Sequence, residues 1–335
     1  MKVKAKDIAK AAGVSTTAVS LVMNGKDSRI SEATREKILR IAREMKFQSE
    51  ISVRPGSQRT KTLGLVLPDL EGPVFRVWMN KVQEYAFQKG YTVFCCTCGD
   101  DAVRCGTILE SLAVKNVDGL VITVPSTLEK EDVLTRTLHT LQDNGVPFVL
   151  LDRAVYSIFS DFVTSDNKYG GRIAVEKLLQ AGASRIGCVL GPEQVYTTKK
   201  RFQGFQEGMA LHKASYREQD VYHGSFTVQD GKKAFALLMA QGCDGLFVEN
   251  ERMTQGVLEA AAEQGLQIGR DLKLAAYDHP GTEPVITIRQ NLTLMAEKAV
   301  DRLIERVEEP ETQIPPGNFY VTPTVEDAQS ERTGT

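Results

Sequence analysis

From Thr62 onward, short apolar runs alternate with amphipathic segments, and this alternation constrains the fold more than any other feature of the chain. The apolar runs are Leu63–Leu67, Tyr91–Cys96, Gly119–Val124, Phe148–Asp152, Arg185–Leu190, Gly245–Val248 and Lys273–Tyr277. Helical periodicity falls between them, near 74–89, 102–115, 129–144, 168–181, 197–212, 227–241 and 252–264. Strands that alternate with helices form a parallel sheet covered on both faces, because each crossover lays its helix over the sheet. The segment is longer than one such sheet accommodates, so a division near Val163 into two α/β lobes is expected. Ligands of such sheets bind beyond the carboxyl ends of the strands, and a cleft between two lobes is a natural pocket.

A different pattern precedes Thr62. Asp7 to Asn24 reads as two short amphipathic helices meeting at Gly13, where a tight turn needs a positive φ. Ile8, Ala12, Val14, Val19 and Val22 can cover one another at the crossing. Ser15 is a natural N-cap, which leaves Thr16 and Thr17 on the exposed first turn of the second helix. That is the layout of a helix-turn-helix, whose recognition helix puts its first residues into the major groove; an ordinary αα-hairpin is the alternative. A third helix follows, capped by Ser31, with Ile38, Ile41, Ala42 and Met45 at helical spacing and Arg35, Lys37, Arg40 and Arg43 outside. Residues 1–46 therefore form a compact head. Periodicity fails from Phe47 to Lys61, where Pro55-Gly56 marks a linker.

Charge supports a polyanion partner for the head. Residues 1–61 hold 14 Lys/Arg against 6 Asp/Glu, although the whole chain has a formal net charge of −2. A basic tip on an acidic body fits DNA binding that the body does not share. Lys4, Arg29 and Arg35, with the lysines at 2, 6, 10 and 26, supply sequence-independent phosphate attraction. No apolar run approaches the roughly 20 residues of a membrane span, and the N-terminus lacks the apolar core of a signal peptide. A soluble, cytoplasmic protein with no membrane partner is expected. Cys95-Cys96-Thr97-Cys98 lacks paired zinc-ligand spacing, so Tyr91–Cys96 is read as a buried strand with cysteine as a small apolar residue. Neither a metal nor a cofactor is expected. An enzyme is not expected either: there is no Gly-x-Ser-x-Gly elbow, glycine-rich phosphate loop or dinucleotide fingerprint. The four histidines, at 139, 212, 223 and 279, show no catalytic spacing.

In this order of parts the chain resembles the lactose-repressor/galactose-repressor (LacI/GalR) family of bacterial transcription regulators. The resemblance rests in the head on Asp7-Ile8-Ala9, Ala12-Gly13-Val14-Ser15, Val19-Ser20, Asn24-Gly25 and Ile30-Ser31 through Thr34-Arg35. In the body it rests on Pro68-Asp69, Val117-Asp118-Gly119, Asp152-Arg153, Asp166-Asn167 with Gly170, and Arg201 with Gly204-Phe205. Asp244 to Asn250, Asp278 and Thr287-Ile288-Arg289-Gln290 complete the series. The resemblance implies a body folded like periplasmic sugar-binding proteins. Its N-terminal lobe would comprise 62–162 and 290–319, and its C-terminal lobe 163–289 and 320–335.

For the head, the resemblance implies that Ser20, Asn24, Ser31 and Thr34 bond the DNA backbone while Ser15, Thr16 and Thr17 open the base-reading helix. Leu21 stands where the family commonly has an arginine, so it cannot make that residue's guanine contact. Family members typically form a hinge helix with a leucine wedge. Val53-Arg54-Pro55-Gly56 keeps the arginine, but proline disfavours helix and Gly56 offers no apolar wedge. An extended or briefly helical hinge and weak DNA bending are expected, with Ile51 or Val53 as substitute wedges. For the body, the resemblance implies effector contacts by Asp69, Phe75, Asp152, Arg153, Arg201, Phe226, Asn250, Glu251, Asp278 and Gln290. Carboxylates, amides and guanidinium groups suit the paired hydroxyls of a sugar, and the two phenylalanines suit its apolar face. Asp152 has an alternative structural reading, as a helix cap or a partner of Arg153. Trp78 is read as core or dimer interface. The function implied is a homodimeric, ligand-responsive regulator, most often a repressor, on pseudo-palindromic operator DNA. The alternative is a solute-binding-type sensor whose Pro55-Gly56 hinge has cost it strong operator binding.

Overall fold

The computed structural model describes residues 5–23, 30–45, 59–126, 131–281, 284–310 and 315–326. The head consists of α1 (Ala5–Ala12), α2 (Thr16–Met23) and α3 (Glu32–Glu44). Gly13 turns the chain between the first two at φ 67°, a conformation that costs glycine nothing. Ile8, Val19 and Ile38 are fully buried where the three helices meet, with Ala12 and Val22 beside them and Val14 at the margin. Ser15 Oγ accepts from Ala18 N at 3.1 Å and Ser31 Oγ from Thr34 N at 3.3 Å, so both serines cap the helices they precede.

The first lobe runs β1 (Thr62–Leu67), α4 (Pro73–Gln88), β2 (Thr92–Thr97), α5 (Ala102–Val114), β3 (Gly119–Ile122), α6 (Glu131–Asp143), β4 (Phe148–Leu151) and β5 (Asp161–Ser165). The second runs α7 (Asn167–Gln180), β6 (Ile186–Leu190), α8 (Tyr196–Leu211), β7 (Val221–His223), α9 (Val228–Ala240), β8 (Gly245–Val248), α10 (Glu251–Glu263), β9 (Lys273–Tyr277) and β10 (Ile286–Arg289). The chain then returns through α11 (Leu292–Glu308) and β11 (Asn318–Val321) to the first lobe, and ends its described part with β12 (Thr324–Glu326) in the second. The sheets are ordered β11-β5-β4-β3-β1-β2 and β12-β10-β9-β8-β6-β7. Every pairing is parallel except β10 with β12. In each sheet the order reverses beside the first strand, and such a switch point opens a crevice at the strand ends.

Two expectations need correction. The division near Val163 falls inside β5, which pairs with β4 through Val163 and with β11 through Ser165; the first crossover comes at Asp166, and β11 carries the first lobe on to Val321 rather than 319. The strand after Tyr91 is not buried. It is an edge strand paired only with β1, so Phe94 is 50% exposed and Cys95 lies at the surface. Asn250 caps α10, its Oδ1 accepting from Met253 N at 2.9 Å, and Glu251 is the first helical residue. Of the two readings of Trp78, core applies, since it is fully buried against α11 residues such as Met295 and Leu303.

Helices of the second lobe meet backbone to backbone. A Cβ on Gly171 would fall 2.1 Å from Arg201 O, and one on Gly204 would fall 2.0 Å from Lys168 O. Only glycine permits that approach, and it brings α8, with Arg201, against the start of α7. Among the described residues no helix is long and apolar enough to cross a membrane.

Candidate functional site

The strand ends of the two lobes face one another across a cavity of about 250 Å³. All ten body residues singled out by sequence line it. Asp69 and Phe75 come from the loop and first turn after β1, and Asp152-Arg153 follows β4. Opposite them stand Arg201 in α8, Phe226 before α9, Asn250 and Glu251 at the start of α10, and Asp278 after β9. Gln290 sits between β10 and α11, at the second crossover. Asp152, Phe226 and Asp278 all have left-handed backbones, with φ of 71°, 63° and 52°. Each such non-glycine residue costs of order 1–3 kcal/mol and persists only where neighbours fix it. Here Asp152 N donates to Val163 O at 2.8 Å and Asp278 N to Ile288 O at 3.1 Å, both across to an adjacent strand.

The cations of the cavity are each partly engaged. Arg201 Nε donates to Asn167 Oδ1 at 2.8 Å, its Nη1 donates to Glu249 O, and its guanidinium lies 3.7 Å from the centre of the Tyr277 ring. Arg153 Nη1 donates to Val124 O at 3.0 Å and stands 3.7 Å from the Asp100 carboxylate. Its guanidinium is 5.7 Å from the Phe75 ring and 5.9 Å from Phe226, so it is flanked by one aromatic from each lobe. The rings intended for a sugar face therefore hold Arg153 between them. Arg252 reaches across to Glu71 at 3.3 Å.

Acceptors remain open. Asp278 takes Gln290 N at 2.8 Å and Gln290 Nε2 at 2.6 Å, which leaves Gln290 Oε1 buried with no partner. Glu249, fully buried in the cavity wall, accepts at Oε1 from Gly191 N at 2.8 Å and Thr198 Oγ1 at 2.7 Å, while Oε2 has no partner. Arg153 Nε is likewise unpaired, 3.9 Å from Asp152 and beyond hydrogen-bond reach. Burial raises the carboxyls of Asp152, Glu249 and Asp278 above their ordinary range, although Arg153 and Arg201 at Asp152, Arg201 and Thr198 at Glu249, and Gln290 at Asp278 pull the other way. Burial also raises Glu251. Of the two readings of Asp152, no helix begins there; its side chain faces the cavity beside Arg153.

Sequence reasoning misses Glu249, Asp100 and Arg252, all in the cavity wall. Glu249 carried a signal: it is the first charged residue after the apolar run Leu246-Phe247-Val248, hence at a strand's carboxyl end.

In the head, Ser15, Thr16, Thr17 and Ser31 are exposed around the N-terminal turns of α2 and α3, and Leu21 and Thr34 are half-buried. Ser31 Oγ and Thr34 Oγ1 lie 2.8 Å apart. Arg35 is half-buried and pairs with Glu32 at 3.1 Å. Ser20 lies on α2; Lys4, Asn24, Arg29 and Arg54 fall outside the described residues, as do the Pro55-Gly56 hinge and its candidate wedges. The linker emerges at 59–61 firmly held: Asp118 accepts from Thr60 N at 2.9 Å and Lys61 N at 2.8 Å, and Lys61 Nζ donates to Glu308 at 2.8 Å.

Residues 4–50 match the bacterial regulatory proteins of the lacI family, and residues 175–327 match the periplasmic binding protein-like domain. The HTH-type transcriptional repressor PurR of Haemophilus influenzae (strain PittEE) is 29% identical over 310 residues, covering 90% of each chain. The ribose operon repressor of Escherichia coli (strain K12) is 29% identical over 318 residues, covering 92% of this chain and 94% of the relative. Among solved structures, a transcriptional regulator CelR–cellobiose complex superposes with a TM-score of 0.73 at 25% identity, over 97% of this chain and 98% of that one. A helix-turn-helix tip, a tethered linker and two switch-point sheets around one cleft thus agree with both matches, and the chain belongs to the LacI family as a DNA-binding transcriptional repressor with a periplasmic-binding-protein-like effector domain.

Proposed function

We propose that the effector is a small sugar, that the repressor acts as a homodimer on a pseudo-palindromic operator, and that effector binding releases it from DNA. The observation that carries the sugar reading is the convergence of Asp69, Asp152, Arg201, Asn250, Asp278 and Gln290 on one cavity. These side chains make paired, directional bonds of the kind that vicinal hydroxyls accept and donate. A cavity of about 250 Å³ lies just below the roughly 300–1,000 Å³ of drug-sized sites, which favours a small ligand. The relatives that bear on this reading are a ribose operon repressor and a cellobiose-bound regulator.

The proposed mechanism uses the lobes as the moving parts. A sugar bonded at once to Asp69 or Asp152 and to Arg201 or Asp278 stabilises the closed cleft. Closure rotates the first lobe, to which Asp118 and Glu308 tie the linker, and changes the separation of the two heads in a dimer. Thr16 and Thr17 read base edges, Ser20, Ser31 and Thr34 set the register, and Lys4, Asn24, Arg29, Arg35 and Arg54 hold phosphates. The coupling is reciprocal and of the order of 1–3 kcal/mol, so effector should weaken operator binding by roughly 5–150-fold. Fluorescence anisotropy on promoter DNA from the protein's own genomic neighbourhood, with and without candidate sugars, tests this. Unchanged DNA affinity with a sugar demonstrably bound would refute the coupling. Absence of salt-sensitive DNA binding would instead favour the alternative of a sensor disabled at Pro55-Gly56.

A further inference from the structure

Among the described residues, two buried acceptors of the cleft, Glu249 Oε2 and Gln290 Oε1, stand without a partner, beside one unpaired donor, Arg153 Nε. Arg201 already commits two donors, to Asn167 and a backbone carbonyl, and one face, to the Tyr277 ring. Arg153 sits between two aromatics, and Arg252 pairs with Glu71. Glu249 Oε2 and Gln290 Oε1 are buried acceptors with no partner among the described residues, on residues 0% and 6% exposed. A buried acceptor left unpaired has lost its hydration without compensation, so a ligand that donates to these oxygens recovers that cost. A phosphate or carboxylate brings acceptors only. It would also meet Asp69, Asp100, Asp152, Glu251 and Asp278 in the same wall, where carboxylates outnumber the partly engaged guanidinium groups of Arg153, Arg201 and Arg252.

We propose that Glu249 sets the chemical class of the effector: a neutral or amine-bearing, hydroxyl-rich molecule that donates to Glu249 Oε2 and Gln290 Oε1, with phosphorylated and acidic sugars excluded. The hydroxyl-rich part rests on the sugar reading above; the exclusion of anions rests on the cavity alone. Glu249 lies in the stretch Asp244 to Asn250 but is not among the effector contacts that the family resemblance implies, and it is fixed in place by Gly191 N and Thr198 Oγ1. Those two bonds hold Oε1 and orient the second oxygen without consuming it.

The test is calorimetric titration of the full-length protein with matched sets: a hexose, its amino derivative, its 6-phosphate and its uronic acid, with a neutral nucleobase alongside. The wild type should bind the neutral or amino member and bind the phosphate and uronic acid at least about a hundredfold more weakly. Glu249→Gln, which keeps the shape, should bind the preferred member about tenfold more weakly, or about 1.4 kcal/mol. It should also narrow the gap between neutral and anionic members, a change in ratio that a purely structural role would not produce. A phosphorylated or acidic sugar that binds the wild type as tightly as its neutral parent overturns the proposal, and this arm needs no variant to fold. Equal loss for neutral and anionic members in Glu249→Gln overturns the assignment to Glu249. Binding of the nucleobase with no binding of any sugar would refute the sugar reading while supporting the exclusion of anions.

Discussion

Asp161→Asn should loosen the first lobe selectively. Asp161 opens β5 with a side chain 2% exposed, and it accepts from Arg302 Nε at 2.8 Å, Arg306 Nε at 2.7 Å and Gly317 N at 2.8 Å. One carboxylate therefore joins β5, the returning helix α11 and the approach to β11. Asparagine keeps one acceptor, removes the charge, and turns an N–H donor toward a guanidinium donor. Breaking a buried ion pair by removing one partner costs about 3–5 kcal/mol. The lower figure applies here, because Arg302 keeps Glu305 and Pro315 O. Trp78 is the single tryptophan of the chain and is buried against α11, so its fluorescence reports this lobe. With a urea slope of roughly 2 kcal/mol/M, the Trp78 midpoint should fall by about 1.5 M at pH 7, while amide exchange in β8 and β9 stays unchanged. Burial would raise the Asp161 carboxyl, but Arg306, Arg302 and the Gly317 amide together hold it below its ordinary 3.8. Its contribution is thus fully present above about pH 4 and is lost as pH falls through the depressed value. The difference between wild type and variant should shrink in that window. An unshifted midpoint at pH 7, or an equal shift persisting well below pH 4, would show that the two arginines are not what the carboxylate stabilises.

In the head, Thr16→Ala with Thr17→Ala should flatten discrimination among operator sequences and leave the salt slope of binding unchanged. Lys10→Ala should instead weaken all sequences alike and reduce that slope by about one if Lys10 meets a phosphate; both are read by anisotropy across salt concentrations. Gly204→Ala drives a methyl group toward Lys168 O, so α7 and α8 must separate. A loss of about 3 kcal/mol should appear in amide exchange of the second lobe, together with weaker effector binding through the displaced Arg201. Arg252→Ala removes a cross-cleft pair whose members are 35% and 76% exposed. Exposed pairs contribute about 0–1 kcal/mol, so effector affinity should change less than about fivefold, and the change should vanish in high salt.

Much of this architecture was legible because local chemistry and tertiary packing agree. The helix boundaries read from periodicity lie within two residues of those found, and many carry their own caps: Asp101 accepts from Arg104 N, and Thr227 and Asp230 form a capping box. The ten body residues converge because each stands just beyond a strand end or within the first two turns of a helix, where the topology aims it at the cleft. What escaped depends on neighbours distant in sequence. Asp161 to Ser165 begins with a charge and is only five residues long; it becomes a buried strand because Arg302 and Arg306 arrive from α11. That Thr92–Thr97 lies at an edge is a property of strand order, which composition does not encode. The α11 signal was present in Met295, Ala296, Ala299, Val300 and Leu303, which share its buried face. The partial occupancy of Glu249's two oxygens depends on Gly191 and Thr198, far off in the chain.

The lobes are joined at three places: after Ser165, at Gln290-Asn291, and between Val321 and Thr324. A single tether would leave one body free to tumble about the other, and two would still permit twisting about the line through them. Three short spans running side by side suppress shear and torsion together and leave a jaw-like swing as the soft coordinate. A molecule lodged in the cleft has few ways to dissipate its binding free energy in other displacements. On the proposed mechanism such a frame serves as a lever with a defined pivot, and substitutions at the pivot should alter the stroke without altering either jaw.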